Sequence, residues 1–340
     1  MPFVSAVIPC RDEEFFLPQC LESLLLQDFP KENLEILFVD GMSKDRTKEL
    51  IKEYSQKYPF VRLLENPNKT TPFGMNMGIK NSRGDIIIIM GAHSVYAPDY
   101  ISKCVRYLLE SRADNVGGQN IIVSKNGDIF NKAVAKALAS PFGAGDAHYI
   151  IGSKKSREVD TVFGGCYRKE VFTKLGLFNE RLTRSEDMEL NLRLKRAGGK
   201  IMFFPDIKSY YYPRKSHLKG FFWHNFQNGI WVVYPLKIVK TPLRLRHYIP
   251  FIFVFSLIVS GFLGIFSKFS LSIFWLLIVF YLLANLYFSF KISFKEKSPQ
   301  FLFLLPLIFG IRHIGYGLGS LWGLLTIWKI KTEKGLTSGL

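Results

Sequence analysis

Cysteine is scarce in this chain, and its spacing excludes several kinds of site. The 340 residues contain four cysteines, Cys10, Cys20, Cys104 and Cys166, and none of them lie at the short spacings of metal ligands. The sequence therefore has no zinc pattern, and we predict buried, reduced thiols in a cytosolic domain. It also lacks an RNP-like segment of the kind that RNA-binding modules carry.

A signal-peptide pattern is missing too, so we expect the chain to enter its first strand directly at Phe3. Acidic residues are in deficit: 28 Asp and Glu stand against 45 Lys and Arg, which gives a net charge of +17. Such a charge fits three kinds of partner, namely nucleic acid, an anionic membrane surface, or phosphate-bearing substrates.

Long apolar runs are confined to the C-terminal third of the chain. They cover residues 249–266, 269–290 and 301–328. Each is close to the length of about 20 residues that spans a bilayer, and core helices rarely stay apolar all round for so long, so we predict membrane insertion. The third run contains Arg312, His313 and several glycines. A single crossing there would leave the basic tail outside, so a re-entrant or interfacial segment is the alternative.

Residues 213–248 mix basic and aromatic side chains immediately before the first apolar run. This mixture predicts an amphipathic interfacial segment, and stacking on nucleic-acid bases is the alternative. Basic residues concentrate between Lys237 and His247 and again in residues 291–297. By the charge rule for membrane proteins, the N-terminal part of the chain is then cytoplasmic.

The N-terminal part alternates strands with helices. Buried strands are predicted at Phe3–Pro9, Leu34–Asp40, Val61–Leu64, Asp85–Met90, Val159–Phe163 and Ile201–Pro205. Turns are predicted at Gly117-Gly118, and a loop at residues 141–145. The alternation argues for an α/β fold with a mostly parallel sheet and helices on both faces.

Polar clusters follow three of these strands, at residues 10–14, 40–45 and 91–93. Ligands of such sheets bind beyond the carboxyl ends of the strands, so the clusters predict a nucleotide-sized site. Ordinary turns are the alternative explanation.

Residues 183–199 have the spacing of a helix. Ser185 is the predicted N-cap, and Gly198-Gly199 mark the end. Acidic side chains open this helix and basic ones close it, which complements the helix dipole and is typical of a solvated helix. The alternative is that Asp187, fixed in the first turn, is a general base at the mouth of a pocket.

Four segments, taken in order, resemble the family 2 glycosyltransferases of GT-A fold. They are VIPCRDEE from Val7, FVDGMSKDRT from Phe38, GDIIIIMGAH from Gly84 and SEDMELNLRLKRAG from Ser185. Each motif alone is weak, but four in sequence at strand ends are specific, and the resemblance covers residues 1–235. The hydrophobic tail and the segments 158–167, 176–181 and 210–214 look most similar to the membrane-bound succinoglycan-biosynthesis glucosyltransferases.

The resemblance implies a domain arrangement. Residues 1–212 are expected to form a cytosolic GT-A domain, 213–248 the interfacial segment, 249–328 a transmembrane region and 329–340 a tail. The protein is then a multi-pass protein of the cell membrane with a cytoplasmic catalytic domain.

The resemblance also implies site residues. Asp187 aligns with the catalytic base, and Asp40 aligns with the carboxylate that holds the uracil or ribose of the donor. The donor-nucleotide candidates are Pro9, Arg11, Glu13 and Asp40. The acceptor-side candidates are Gly165, Glu186, Gln227 and Trp231. Ile230 stands where polymerising members have an Arg before the Trp, which argues against a processive polymerase.

Gly91-Ala92-His93 stands in the place of the family's Asp-x-Asp motif. His93 is the predicted metal ligand, better suited to Mn²⁺ than to Mg²⁺, with a structural turn histidine as the alternative. Because Gly91 brings no carboxylate, a divalent cation (Mn²⁺ or Mg²⁺) is expected to bind weakly. Lys69 or Arg83 are cations that could neutralise the donor diphosphate instead.

The implied activity is that of an inverting glycosyltransferase in extracellular-polysaccharide or cell-surface glycan synthesis. The expected partners are a nucleotide-sugar donor, with UDP-sugar first, a polyprenyl-linked glycan acceptor and membrane lipids, and no nucleic acid. Two alternatives stay open: direct transfer onto polyprenyl phosphate, and a non-catalytic nucleotide-sugar-binding membrane protein, which the loss of the carboxylate at Gly91 motivates.

Overall fold

A computed structural model of the chain describes residues 1–123, 128–212 and 217–329. These residues fall into two compact units. The first holds residues 1–123 and 148–212, and the second holds 128–147 and 217–329. The structure thus groups residues 128–147 with the C-terminal helices, whereas we expected them inside the N-terminal domain. The functional domain limits themselves stay a prediction.

The first unit is built on a mixed sheet of nine strands among the described residues. The strands are β1 Val4–Cys10, β2 Leu34–Asp40, β3 Val61–Glu65, β4 Ile86–Ile89, β5 Ser94–Tyr96, β6 Asn115–Ile122, β7 Arg157–Glu158, β8 Cys166–Arg168 and β9 Ile201–Tyr211. Their order is β3-β2-β1-β4-β8-β6-β9-β5, and β7 pairs with β9. Strands β3, β2, β1 and β4 are parallel, while β8 runs antiparallel to both of its neighbours.

Helices cover both faces of this sheet. They are α1 Leu17–Leu25, α2 Thr47–Lys57, α3 Thr71–Lys80, α4 Tyr100–Ser111, α7 His148–Ile151, α8 Glu170–Leu175 and α9 Glu186–Arg196. Alternate residues of each central strand enter opposite cores, because successive side chains of a strand point to opposite faces. Ile36 and Phe38 pack with α1, α2 and α4, whereas Leu37 and Val39 pack with α3, α8 and α9. The expected α/β fold is confirmed.

Four expectations between residues 110 and 211 were wrong. The predicted loop at residues 141–145 contains a short helix, Pro141–Ala144. Gly117-Gly118 lie inside β6, at a shift in its register with β9, and do not form a turn. Residues 159–163 are not a strand, and β9 continues past Pro205 to Tyr211. Two glycines can form a bulge as readily as a turn, because either use needs only a backbone without Cβ.

The second unit consists of helices. They are α5 Ile129–Leu138, α6 Pro141–Ala144, α10 Leu218–Val239, α11 Leu245–Leu263, α12 Lys268–Glu296 and α13 Phe301–Thr326. Within the described residues, α11, α12 and α13 are long and apolar enough to cross a membrane. Helix α5 packs Ala133, Val134 and Ala137 against a cluster that contains Phe301 and Ile308 of α13.

Glycines let α13 lie very close to its neighbours in the second unit. Gly315, Gly319 and Gly323 face the backbone of α10 at Phe222, Phe226 and Ile230, where a Cβ atom would overlap or crowd it. Spacing by four residues places these glycines on one side of the helix. The glycines that seemed to interrupt the third apolar run are therefore the contact ridge of a continuous helix.

Candidate active site

The loops that follow β1 and β2 are bonded to each other. The amide of Asp12 donates to Ser43 Oγ, and the Asp12 carboxylate accepts from the amide of Lys44. The amide of Glu13 donates to Thr47 Oγ1 at 2.7 Å. Left-handed backbone at Asp12 (φ 54°) and Met42 (φ 59°) turns both loops sharply at the strand ends. The predicted convergence of these two polar clusters is therefore present.

Asp40 is buried at the end of β2, with 1% of its surface exposed. Its carboxylate accepts bonds from both the amide and the hydroxyl of Ser43. An ionised carboxylate has about four lone-pair sites, so these bonds leave room for a donor hydroxyl or imide. The predicted donor role of Asp40 stays a prediction, and its bonds show that it also shapes the loop.

Pro9 and Arg11 lie at the end of β1 beside this loop pair. A Cβ atom on Gly74 of α3 would contact Pro9 at 3.1 Å, so this proline packs directly on α3. The Arg11 side chain is 43% exposed, and its Nε lies 3.6 Å from Asp12. A guanidinium at the open edge of the sheet is placed to meet an anion, which keeps the predicted donor-side role of Arg11 open.

Glu13 and His93 face each other across the ends of β1 and β4. Glu13 Oε2 lies 2.6 Å from His93 Nδ1. The ring of His93 also meets Phe16 edge-on at 5.1 Å, and its carbonyl accepts from the amide of Tyr212. A carboxylate at one ring nitrogen fixes the imidazole and directs the other nitrogen outward, as in many histidine–metal sites.

Gly91, where the family has a carboxylate, has room for a side chain. A Cβ atom there would have its nearest neighbour at 3.7 Å, the ring of Phe163, and its φ is not positive. The amide and carbonyl of Gly91 are both bonded to the hydroxyl of Tyr96. Neither sterics nor backbone conformation therefore requires glycine at this position.

The side chains near His93 provide only some of the ligands that a metal ion needs. Over the described ranges no three His, Cys, Asp or Glu side chains form a group that could hold a metal. His93 and Glu13 offer at most two protein ligands. Hard divalent cations in phosphate sites often take one or two protein ligands and fill the rest of the shell with phosphate oxygens and water. The residues thus fit a cation that arrives with a diphosphate.

The glycine pair before β8 continues the sheet beside the end of β4. The amide of Ile89 donates to the carbonyl of Gly165 at 2.9 Å. Gly165 has φ +107°, and a Cβ there would lie 2.6 Å from the ring of Tyr167 and 2.7 Å from Asn115 Oδ1. Both the left-handed backbone and the lack of space for a Cβ atom therefore require glycine at this position. Phe163, in the same loop, borders Gly91.

Helix α9 brings Asp187 to the same edge of the sheet. Asn115 donates to Asn191 Oδ1 at 3.0 Å, and the β-ladder places Asn115 level with Tyr167 and Ile87. The helix ends at the opposite edge, where the amide of Lys200 bonds Asp114. Asp187 lies one helical turn before Asn191. It is therefore about 6 Å nearer to the carboxyl-end edge of the sheet, where Gly91 follows β4.

The first turn of α9 buries two neighbouring carboxyl groups. Glu186 is 9% exposed, and Asp187 is partly buried. Burial raises the pKa of Glu186 to about 8, and the charge of Asp187 adds to this rise. Burial also raises the pKa of Asp187, although the amide of Met188 donates to it. Burial, followed by the charge of Asp187, also raises the pKa of Tyr167 in β8.

Two residues that hold α9 in place were missed as functional candidates. Glu189 is 1% exposed and accepts two bonds from Arg193, at 2.7 and 2.8 Å. Arg193 also donates to the carbonyls of Leu175 and Leu177. The interpretation of a solvated acidic face was therefore wrong for Glu186 and Glu189. The spacing of four residues between Glu189 and Arg193 was the available signal.

The remaining candidates lie elsewhere. Arg83 pairs with the buried Glu35 at 3.1 Å, near the amino ends of the strands, so it cannot neutralise a diphosphate at the carboxyl ends. Lys69 follows β3 with a left-handed backbone and is exposed, so it stays a candidate. Gln227 and Trp231 bond each other along α10 in the second unit, at 3.2 Å, and their acceptor role stays a prediction.

The four cysteines are all free and buried, as predicted. Burial, with the nearby carboxylates of Asp40 and Glu13, raises the pKa of Cys10. Burial also raises the pKa of Cys20 and of Cys166, so the thiols of Cys10, Cys20 and Cys166 are poor nucleophiles. We therefore assign them no part in the chemistry.

Comparisons with known proteins agree with this fold. The sequence profile of Glycosyl transferase family 2 matches residues 5–175. A Methanococcus voltae protein named dolichyl N-acetyl-alpha-D-glucosaminyl phosphate 3-beta-D-2,3-diacetamido-2,3-dideoxy-beta-D-glucuronosyltransferase is 30% identical, over 93% of this chain and 96% of its own. The succinoglycan biosynthesis protein ExoA of Rhizobium meliloti is also 30% identical, over 66% of this chain and 67% of its own.

Solved structures share the fold at low sequence identity. The mannosyltransferase PcManGT from Pyrobaculum calidifontis, in complex with GDP-Man and Mn²⁺, superposes with a TM-score of 0.58, over 94% of this chain and 87% of its own, at 16% identity. S. aureus TarS 1–349 in complex with UDP-GlcNAc superposes with a TM-score of 0.51, over 94% of this chain and 90% of its own, at 16% identity. The chain belongs to glycosyl transferase family 2 and is a glycosyltransferase of GT-A fold.

Proposed function

We propose that this glycosyltransferase moves a sugar from a nucleoside-diphosphate sugar to a lipid-linked saccharide at a membrane surface, with inversion at the anomeric carbon. The observation that carries the proposal is the position of Asp187. Its carboxyl group opens α9 at the same sheet edge as the loops of β1, β2 and β4, where a donor would lie.

Asp187 is the catalytic base in this proposal. Its carboxylate takes the proton of an acceptor hydroxyl, and the hydroxyl oxygen forms a bond to the anomeric carbon. The bond between that carbon and the diphosphate oxygen breaks from the opposite face, and the nucleoside diphosphate leaves. A partly buried carboxylate with a raised pKa suits this task, because its basicity is closer to neutral pH.

The donor is held by the loops after β1 and β2. Asp40 and the Asp12–Ser43 loop pair contact the nucleoside, and Arg11 and Lys69 face the diphosphate. His93, with Glu13 behind it, would hold a divalent cation that neutralises charge developing on the leaving diphosphate. PcManGT is described with Mn²⁺, which supports Mn²⁺ as the first cation to test here. Because Gly91 adds no carboxylate, we propose weak binding.

The acceptor class is suggested by the relatives and by the second unit. The Methanococcus voltae relative is named for a dolichyl-phosphate-linked sugar, and ExoA for succinoglycan biosynthesis. Three helices in the described ranges of this chain are long and apolar enough to cross a membrane. We therefore propose a polyprenyl-linked saccharide as acceptor, a multi-pass position in the cell membrane and a cytoplasmic catalytic unit.

A donor screen tests this function. Membranes that contain the enzyme receive labelled UDP-, GDP- and dTDP-sugars with Mn²⁺, and the extracted lipids are analysed by mass. We expect one donor to add one sugar to a lipid-linked saccharide, with the opposite anomeric configuration in the product. Retention of configuration would refute inversion.

Two other outcomes would change the assignment. A single sugar on a lipid monophosphate would show direct transfer onto polyprenyl phosphate. Donor binding without any transfer, with lipid extracts of the native membrane supplied as acceptor, would favour a non-catalytic binding protein. Neither alternative is favoured by a specific contact within the described residues.

A further inference from the structure

The short connections of the second unit decide on which side of a membrane each helix end lies. Helix α12 ends at Glu296, and α13 begins at Phe301. Five residue steps reach at most about 18 Å, whereas the hydrocarbon core is about 30 Å thick. The end of α12 and the start of α13 therefore lie on one side, which we call the near side.

The end of α13 is tied to the end of α10. Lys237 Nζ donates to the carbonyls of Ile327 and Trp328, at 3.2 Å each. Helix α10 ends at Val239, and α11 begins at Leu245, which is again too short a connection to cross a bilayer. The end of α13 therefore lies on the same side as the start of α11.

Helices α11 and α12 have the surfaces of membrane-crossing helices. Large apolar side chains are exposed along the length of both, from Ile249 to Phe266 and from Phe269 to Phe290. If α12 crosses, its start and the end of α11 lie on the far side. If α11 also crosses, its start is back on the near side. Helix α13 then begins and ends on the near side and makes no crossing.

A crossing by α13 would require α10 to cross with it. The two helices run parallel, because Gly315, Gly319 and Gly323 meet successively later positions of α10. Helix α10 carries Lys219, His224 and Lys237, and it is not among the spanning candidates found in the described part of the chain. It is therefore a poor partner for a crossing.

The middle of α13 carries Arg312 and His313, and both are bonded to neighbouring helices. Arg312 donates to the carbonyl of Gly143 and, at 3.0 Å, to Asn225 Oδ1. His313 bonds the carbonyl of Phe142 at 2.9 Å. These bonds hold Arg312 and His313 against α6 and α10 and away from lipid, where charged side chains are costly and rare.

We propose that α13 begins and ends on the near side of the membrane, with its middle packed against α12 where Tyr281 Oη lies 3.1 Å from His313 Nδ1, so that the chain crosses the membrane only through α11 and α12. The partner of the pair of helices α10 and α13 is the lipid leaflet that α11 and α12 enter. Trp223, Trp322 and Trp328 are 50%, 52% and 71% exposed, and tryptophan is the residue that favours the headgroup level. The end of α13 then shares a side with the basic stretches near Lys237 and Lys295, as the charge rule requires.

Cysteine labelling in sealed vesicles tests this topology. The native cysteines are buried, so an impermeant maleimide reports on one introduced cysteine. The variants are Gln300→Cys for the near side, Phe266→Cys for the far side and Ser338→Cys for the C-terminal end, with the unsubstituted chain as background. We expect positions 300 and 338 to be labelled from one side and position 266 from the other.

Labelling of position 338 together with 266 would overturn the proposal, because α13 would then cross. Labelling of 300 and 266 from one side would overturn it too, because α12 would not cross. A protease-sensitive tag at the C-terminus of the otherwise unchanged chain gives a second measurement if a cysteine variant fails to fold. Digestion of that tag from the side of residue 266 would contradict the proposal equally.

Discussion

Glu13 and His93 meet at the ends of the first and fourth strands, with 2.6 Å between Oε2 and Nδ1. The carboxylate stands behind the imidazole, and Gly91 brings no carboxylate in front of it. Glu13 therefore supplies one carboxylate from a different loop, and it lies behind the imidazole of His93. This relationship explains how a site without an Asp-x-Asp motif could retain some affinity for a divalent cation.

Gly91→Asp should tighten Mn²⁺ binding. The position has room for a side chain, and a carboxylate there would add a ligand next to His93. We expect the Mn²⁺ dissociation constant to fall by about 10-fold or more, the scale on which changes in a ligand shell act. Titration with Mn²⁺ followed by electron paramagnetic resonance, in the presence of nucleoside diphosphate, measures it.

Gly91→Asn is the matched control, since it has the same size without the charge. Equal affinity of the two variants would show that the position lies away from the cation.

Sugar transfer should slow as the pH falls through the raised pKa of Asp187, because the protonated carboxyl group cannot act as a base. Burial raises the pKa of Asp187, and the carboxylate form is the one that accepts a proton. We expect the acidic limb of kcat/KM to lie above the usual Asp range near pH 4. The pH profile of labelled-sugar transfer measures this limb, and a limb at or below pH 4 would contradict it.

Glu186→Gln should stabilise the protein at neutral and mildly alkaline pH. Burial moves the pKa of Glu186 from 4.5 to about 8, so the folded chain keeps a proton that the unfolded chain releases. Stability therefore falls as pH rises from 4.5 to 8, and it is unaffected by this group below 4.5. Because the neutral Gln has no such loss, we expect a gain of about 1–3 kcal/mol at pH 8.

Thermal unfolding in detergent at pH 5 and pH 8 measures this gain. The difference between Glu186→Gln and the unsubstituted chain should be larger at pH 8. The same difference at both values would show that the Glu186 carboxyl titrates normally.

Gly165→Ala should damage the fold locally, whereas Gly91→Ala should be tolerated. A Cβ on Gly165 would overlap Tyr167 and Asn115 in a left-handed backbone, whereas a Cβ on Gly91 has no neighbour closer than 3.7 Å. We expect Gly165→Ala to lose about 1–3 kcal/mol of stability from strain alone. Thermal unfolding of the two variants compares them, and equal stability would contradict the geometry of this loop.

Local patterns were enough to predict the parallel half of the sheet. Leu34–Asp40 is a strand with the predicted bounds, and its apolar run is unambiguous because both faces are buried. The strand ends then brought the loops of Cys10–Glu14 and Asp40–Asp45 together, since parallel topology leaves them no other edge. The start of α9 near Ser185 followed from its sequence, although the Ser185 side chain makes no capping bond.

Long-range partners set the limits of prediction. Residues 128–147 pack on α13, whose Phe301 and Ile308 lie far along the chain, so no local pattern could assign them to the second unit. The same holds for Glu189, because its burial depends on Arg193 reaching the carbonyls of Leu175 and Leu177. The glycines of α13 resembled helix interruptions in the sequence, because their close packing against α10 depends on residues far away in the chain.

The most direct test of the central claim is single-turnover sugar transfer by Asp187→Asn. This change keeps the size of the side chain and removes the base, with Asp85→Asn, an exposed residue at the amino end of β4, as the matched control. We predict that Asp187→Asn loses about 10²–10⁴-fold in rate with donor affinity unchanged, while Asp85→Asn keeps full activity. A folded Asp187→Asn protein that transfers sugar at the unsubstituted rate would contradict the account.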